Sequence, residues 1–205
     1  MIRMNESRPT SDWSYPVVGV VVVTALYAVL YRFVPYDRQA YLLWPFGALA
    51  LYTGSRLRIW QALAILFAIQ LATDLTFYFV NQWGIPKTTY LAWTVFVLLG
   101  VSVRPLLRQH WLTAVAGIGG ASVIGYAAFF LITNTAAWLG NARPEYEPHT
   151  FETLMEAYAQ GLAFIRTRPG QVIGNPVCVG LVFGAHAALA HAFKPAERFG
   201  TEQLR

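Results

Sequence analysis

Charge is what this chain has least of. Asp, Glu, Lys and Arg make up 12% of its 205 residues, about half the share usual in soluble domains. With 56% hydrophobic residues, that scarcity leaves no room for a sizeable soluble domain and points to a membrane. There is one cysteine, Cys178, so an intrachain disulfide is excluded and the residue reads as a buried free thiol. No Gly-rich loop ends in Lys-Ser or Lys-Thr, which removes a P-loop ATP site. No run of like charge accompanies the formal net charge of +5, so a nucleic-acid arm is excluded too. Low-complexity segments and internal repeats are absent.

What is present is a series of apolar runs along nearly the whole length. Measured against the roughly 20 apolar residues needed to cross a bilayer, they predict one all-α membrane domain. It is a six-transmembrane-helix bundle with spans at about 16–32, 41–55, 60–80, 89–103, 112–139 and 174–193. Short tails, 1–14 and 194–205, flank them. The first run follows a polar leader but has no small-residue cleavage pattern, and is read as an anchor. The second, YLLWPFGALALYTGS, is interrupted by Pro45, Gly47 and Gly54. It is expected to be short, broken or re-entrant.

Lys and Arg set the direction. With a cytoplasmic N-terminus, the inner segments hold Arg3, Arg8, Arg56, Arg58, Arg104, Arg108, Lys194, Arg198 and Arg205, against Arg32, Arg38, Lys87, Arg143, Arg166 and Arg168 outside. Both termini are therefore expected on the cytoplasmic side of a bacterial inner membrane. Trp13, Trp44, Trp60, Trp83, Trp111 and Trp138 fall near span ends, where indole rings favour the headgroup level, and Trp93 lies inside a span. The one long outer connection, 140–173, carries Thr153 and Glu156 at capping-box spacing. A helix with an apolar stripe of Leu154, Ala157, Tyr158, Gly161, Leu162 and Ile165 would follow. It would lie on the membrane surface, cap the bundle or face lipid.

Against this background Asp74, in LATDLTFYFVNQW, is the residue to explain. It falls about 10 Å below the outer boundary of the third span. An ionised carboxylate at that depth must be paired or wet. Gln70, Asp74 and Tyr78 recur every fourth residue on one helical face, flanked by Thr73 and Phe77. The fifth span brings Thr133 and Asn134 to the same level, and Arg32 at the end of the first span is a partner by depth. The candidate ligand-binding set is thus Asp74, Gln70, Thr73, Tyr78, Thr133, Asn134 and Arg32, with Phe77 and Tyr78 as walls. The other reading of these residues is a structural hydrogen-bond cluster between helices, or a protonated carboxyl.

No metal site, cofactor or catalytic residue is expected. His186 and His191 are five apart and so not on one face. GGASVIG around Ser122 and GAHAALAH around His186 resemble the serine and histidine segments of rhomboid-type proteases. Val123, however, stands where a glycine is expected, the second span has no His–Asn pattern, and the depth is nearer the cytoplasmic side. Gly117, Gly119, Gly120 and Gly125, with Ala121 and Ser122, form a small-residue face, as do Ala188 and Ala192.

The chain also resembles a family of small bacterial membrane proteins of unknown function. The resemblance lies in Arg32-Phe33-Val34-Pro35, WPFGALALYTG at 44–54, Thr73-Asp74-Leu75 and FFLITNTAAW at 129–138. It extends to AYAQGLAF at 157–164, where Ala157 and Ala163 replace the Cys and Pro of that family. That family is similar at fold level to the substrate-capture components of energy-coupling-factor importers. The resemblance implies a site open to the outside for a vitamin or cation, with 140–173 as its lid and a transport partner docked on the Gly- and Ala-rich faces. The different class of answer is a non-catalytic subunit of a larger membrane complex.

Overall fold

Pro45 decides the shape of the second apolar stretch. The residue before a proline is held extended, and proline at the first helical positions is favoured because its missing N–H would have no partner there. Accordingly Trp44 is extended and a new helix starts at Pro45. The computed structural model describes residues 13–39, 42–82, 84–140, 142–167 and 169–193; Trp83 and most of the expected tails lie outside them. The order is α1 (Tyr15–Phe33), a single turn α2 (Tyr36–Gln39), α3 (Pro45–Arg56), α4 (Ile59–Asn81), α5 (Lys87–Val103), α6 (Trp111–Leu139), α7 (Phe151–Arg166) and α8 (Pro169–Ala192).

Among the described residues, five segments are long and apolar enough to cross a membrane: Tyr15–Phe33, Ile59–Val80, Lys87–Arg108, Trp111–Leu139 and Ile173–Ala192. Only 17–33% of each apolar window is buried, so most of their apolar surface faces outward from the bundle, as in a multi-pass membrane protein. The sixth expected span does not reach this length. α3 has 12 residues, about 18 Å of helix against a hydrocarbon core of about 30 Å. Its eleven residues from Pro45 to Ser55 are all buried.

Side-chain pairings give the directions. Arg32 near the end of α1 meets Asp74 near the end of α4. Phe129 of α6 packs against Trp93 of α5, with ring centroids 4.7 Å apart. α1, α4 and α6 therefore finish at one end of the bundle, called the upper end below, while α3, α5 and α8 descend. α7 descends along the upper part of α6, tied by Trp138 Nε1 to Thr153 Oγ1 at 2.9 Å and by the Thr135 and Tyr158 hydroxyls at 2.7 Å. The connection 140–173 is thus largely helix packed on α6. Its N-cap is Thr150, paired with Thr153, one turn before the expected Thr153 and Glu156.

Lipid tails are as apolar as leucine, so helices in a bilayer associate through close packing and polar ties. α3 uses both. A Cβ placed on Gly54 would lie 2.2 Å from the Val97 carbonyl oxygen, and one on Gly100 would lie 2.2 Å from that of Leu51. The α3 and α5 backbones therefore touch through these two glycines. Helix C-termini leave carbonyls without partners. Here Arg104, at the end of α5, donates to the Gly54 carbonyl at 3.0 and 2.7 Å and also to that of Leu57. The Tyr52 hydroxyl is hydrogen-bonded to His186 Nδ1 of α8 at 2.8 Å. Above α3 the irregular chain is held by the Tyr27 hydroxyl, which donates to the Leu43 carbonyl at 2.8 Å.

Trp44 departs from its expected place at the headgroup level. It joins an interior aromatic layer, 5.1 Å from Trp93 and 4.8 Å from Phe129, with Phe46 stacked on Trp93 at 5.6 Å. Trp13, Trp60 and Trp111 are exposed.

Gly100→Ala is expected to lower the stability of the detergent-purified protein by about 2 kcal/mol, because the helices cannot yield at a backbone contact. Gly119→Ala, where nothing lies within 4 Å, should be neutral or slightly stabilising, since alanine is the better helix former. Thermal unfolding of the two variants side by side checks the contrast.

Candidate functional site

Asp74 sits two turns before the end of α4 and is 3% exposed. A carboxylate can accept about four hydrogen bonds, and here three donor groups serve its two oxygens, with Gln70 Nε2 shared between them. Oδ1 accepts from Arg32 Nη2 of α1 and from Gln70 Nε2 at 3.0 Å. Oδ2 accepts from Gln70 Nε2 at 3.0 Å and from the Tyr90 hydroxyl of α5 at 2.9 Å. Three helices are joined at one charge. Arg32 lies over the Phe77 ring, 5.3 Å from its centroid, in cation–π geometry. Gln70 Oε1 and Arg32 Nε are buried without a partner among the described residues.

A groove of about 400 Å³ lies above this knot, lined by Arg32, Phe33, Gln39, Asp74, Phe77 and Pro86 among others. It reaches Asp74, but both carboxylate oxygens are already engaged by protein donors.

The rest of the expected set divides. Thr73 is buried, yet its hydroxyl donates back to the Ile69 and Gln70 carbonyls of its own helix, a local bond common for threonine in helices. Tyr78 is 44% exposed and packs on Phe79. Two steps of four residues rotate a helical position by about 80° in total, enough to carry Tyr78 off the face of Gln70.

Thr133 and Asn134 share the depth of Asp74 but not its compartment. Tyr90 is one turn above Trp93 in α5, and Thr133 is one turn above Phe129 in α6, so the two levels match. The aromatic layer of Trp44, Trp93 and Phe129 marks the level one turn below both. Thr133 and Asn134 instead line a cavity of about 300 Å³ between α6, Trp44 and the underside of α7. Their hydrogens go to helix carbonyls: Thr133 Oγ1 to Phe129 at 2.8 Å, Asn134 Nδ2 to Phe130 at 2.8 Å. Gly161 of α7 lies directly over Asn134, where a Cβ would fall 2.4 Å from Oδ1.

Ser122 and His186 border a third cavity, of about 490 Å³, but each has its own partner. Asn175 Nδ2 donates to Ser122 Oγ at 3.2 Å, and His186 bonds Tyr52. Of the small-residue face, Gly125 lies against Phe96 inside the fold and Gly117 against the half-buried Leu106, whereas Gly119 and Gly120 are open.

Three residues of these arrangements escaped the sequence reading. Tyr90 carried a usable signal, since an antiparallel hairpin between the third and fourth spans brings the start of one beside the end of the other. Asn175, fully buried beside Pro176, was legible as an amide in an apolar run. Arg143 looked like an ordinary loop charge.

Arg32→Met is expected to destabilise by about 3 kcal/mol, the lower end for breaking a buried pair, because Arg32 keeps 24% side-chain exposure. Combining it with Asp74→Asn should recover a large part of the loss, since no unpaired charge then remains buried. A double-mutant cycle on unfolding in detergent measures the coupling.

No curated protein and no solved structure matches the chain. A family model does match, over residues 14–197, and the chain belongs to that family of unknown function, DUF6580.

Proposed function

We propose that this multi-pass protein is a solute-binding component of a transport system in the bacterial inner membrane, and that its site is the cavity between α6 and α7. The observation that supports this most is the character of that cavity. Thr133, Asn134, Tyr126 and Arg143 contribute polar groups among aromatic walls, and α7 covers it. It matches the general form of ligand sites, mostly apolar with a few placed polar groups. The reading follows what the sequence resemblance to importer capture components implies, with 140–173 as a lid. In this reading α3 and the irregular chain before it complete a sixth pass, so both termini face the cytoplasm. Coupling to energy comes from a partner chain. No catalytic role is proposed, and the separate partners of Ser122 and His186 support that.

A second reading is favoured by the engaged state of Asp74. A charge that ties three helices, with both its oxygens engaged by protein donors, suits an accessory subunit of a larger complex, its outer faces packed on neighbours.

Thermal unfolding of the purified protein against water-soluble vitamins, amino acids and divalent cations decides between them. A bound ligand at 100 times its Kd stabilises by about 2.7 kcal/mol. The first reading expects a shift that Asn134→Leu abolishes and Asp74→Asn leaves in place. A shift lost only in Asp74→Asn would move the site to the groove over the knot. No shift from any solute, with Asp74→Asn merely less stable, would favour the accessory subunit.

A further inference from the structure

Resting on that solute-binding reading, we propose that the cavity between α6 and α7 is built for a small planar ring compound carrying an anionic group, with the ring among the aromatic walls and the anion at Arg143. The first argument is shape. At about 300 Å³ the cavity is at the small end of ligand pockets. Trp44, Tyr126, Phe129, Phe130, Tyr146 and Phe164 line it. The ring of Trp44 meets Tyr126 at 90° and Phe129 at 87°, so the walls hold one another in edge-to-face contacts and give an inserted ring a preformed aromatic surface.

The second argument is charge. Arg143 is the one charged residue among the described lining residues, and no acidic side chain accompanies it. A cation would meet repulsion there and no counter-charge. Arg32 and Arg104 are engaged by Asp74 and by the end of α3. The guanidinium of Arg143, by contrast, has no partner among the described residues. Its planar fork of donors matches a carboxylate bidentately.

The third argument is the remaining hydrogen-bonding capacity. Thr133 and Asn134 each donate to a helix carbonyl. Gln160 is held at both ends, accepting from the Tyr146 hydroxyl at 3.0 Å and donating to Glu156 at 3.2 Å. The Tyr126 hydroxyl has no protein partner among the described residues and adds a free donor. The cavity thus keeps donors for an anion at Arg143 and Tyr126, while Thr133 Oγ1 and Asn134 Oδ1 keep acceptor capacity for an N–H or O–H on the ring.

The test uses the full chain in detergent, with benzoate and indole-3-acetate compared with benzamide and indole-3-acetamide, and affinity read from the ligand dependence of unfolding. The carboxylates are expected to bind about tenfold or more tightly than the matched amides, the usual size of a charge-assisted bond. Arg143→Gln, at an exposed position, should remove that advantage. Arg143→Lys should retain part of it, and added salt should weaken it. Equal binding of acids and amides, lost in Asn134→Leu, would overturn the anionic class while leaving the solute-binding reading intact. So would an Asn134-dependent shift in the broader panel from a cationic or non-ring solute. No binding of any ring compound would overturn the class as well, and the broader panel alone then decides whether the cavity binds a solute at all.

Discussion

A helix too short to cross a bilayer has to be enclosed by protein on every side, and α3 imposes that requirement on the rest of the molecule. Its ends lie where lipid cannot satisfy backbone groups, so each end needs a polar partner. Arg104 supplies one for the last carbonyls of α3. Pro45 reduces the need at the start, because a proline has no N–H to satisfy. The long helices then turn one face each toward α3 and leave the other to lipid. This is why so little of their apolar surface is buried although α3 is buried almost completely.

That arrangement also divides the upper half of the bundle. α3 begins below the upper end, and the space above its first turn is occupied by Trp44, Trp93 and Phe129 rather than by helix. Above this layer two polar regions form at one level. On one side Arg32, Gln70 and Tyr90 surround Asp74. On the other, α7 lies against α6 and encloses Thr133 and Asn134. α6 is 29 residues long, about 44 Å, so its top extends beyond a bilayer core and gives α7 something to pack on.

Position along each helix was legible in the sequence; position around the bundle was not. Hydropathy places the third span at about 60–80, and the helix is Ile59–Asn81. Counting residues along two parallel spans correctly puts Thr133 and Asp74 at one depth. Which way each side chain points depends on the azimuth of its helix among its neighbours, and apolar lipid-facing surfaces give that no signature. The same limit hid the enclosure of α3: Pro45, Gly47 and Gly54 announce a short helix, but not what surrounds it. α8 begins at Pro169, before the apolar run at 174 that marked it, because a first-turn proline starts a helix without regard to hydropathy.

In the proposed solute-binding reading, the distribution of cationic side chains separates structural ties from the ligand site more sharply than the position of Asp74, the one buried acid among the described residues, does. A buried carboxylate with both oxygens engaged by donors has little left to offer a solute, and displacing any donor costs the bundle a helix contact. The guanidinium of Arg143 is in the opposite situation. It borders a cavity, its removal breaks no tie among the described residues, and the aromatic surface beside it is already shielded by α7. A membrane fold held together by a few polar ties can leave a cation unpaired at a cavity mouth without loss of stability.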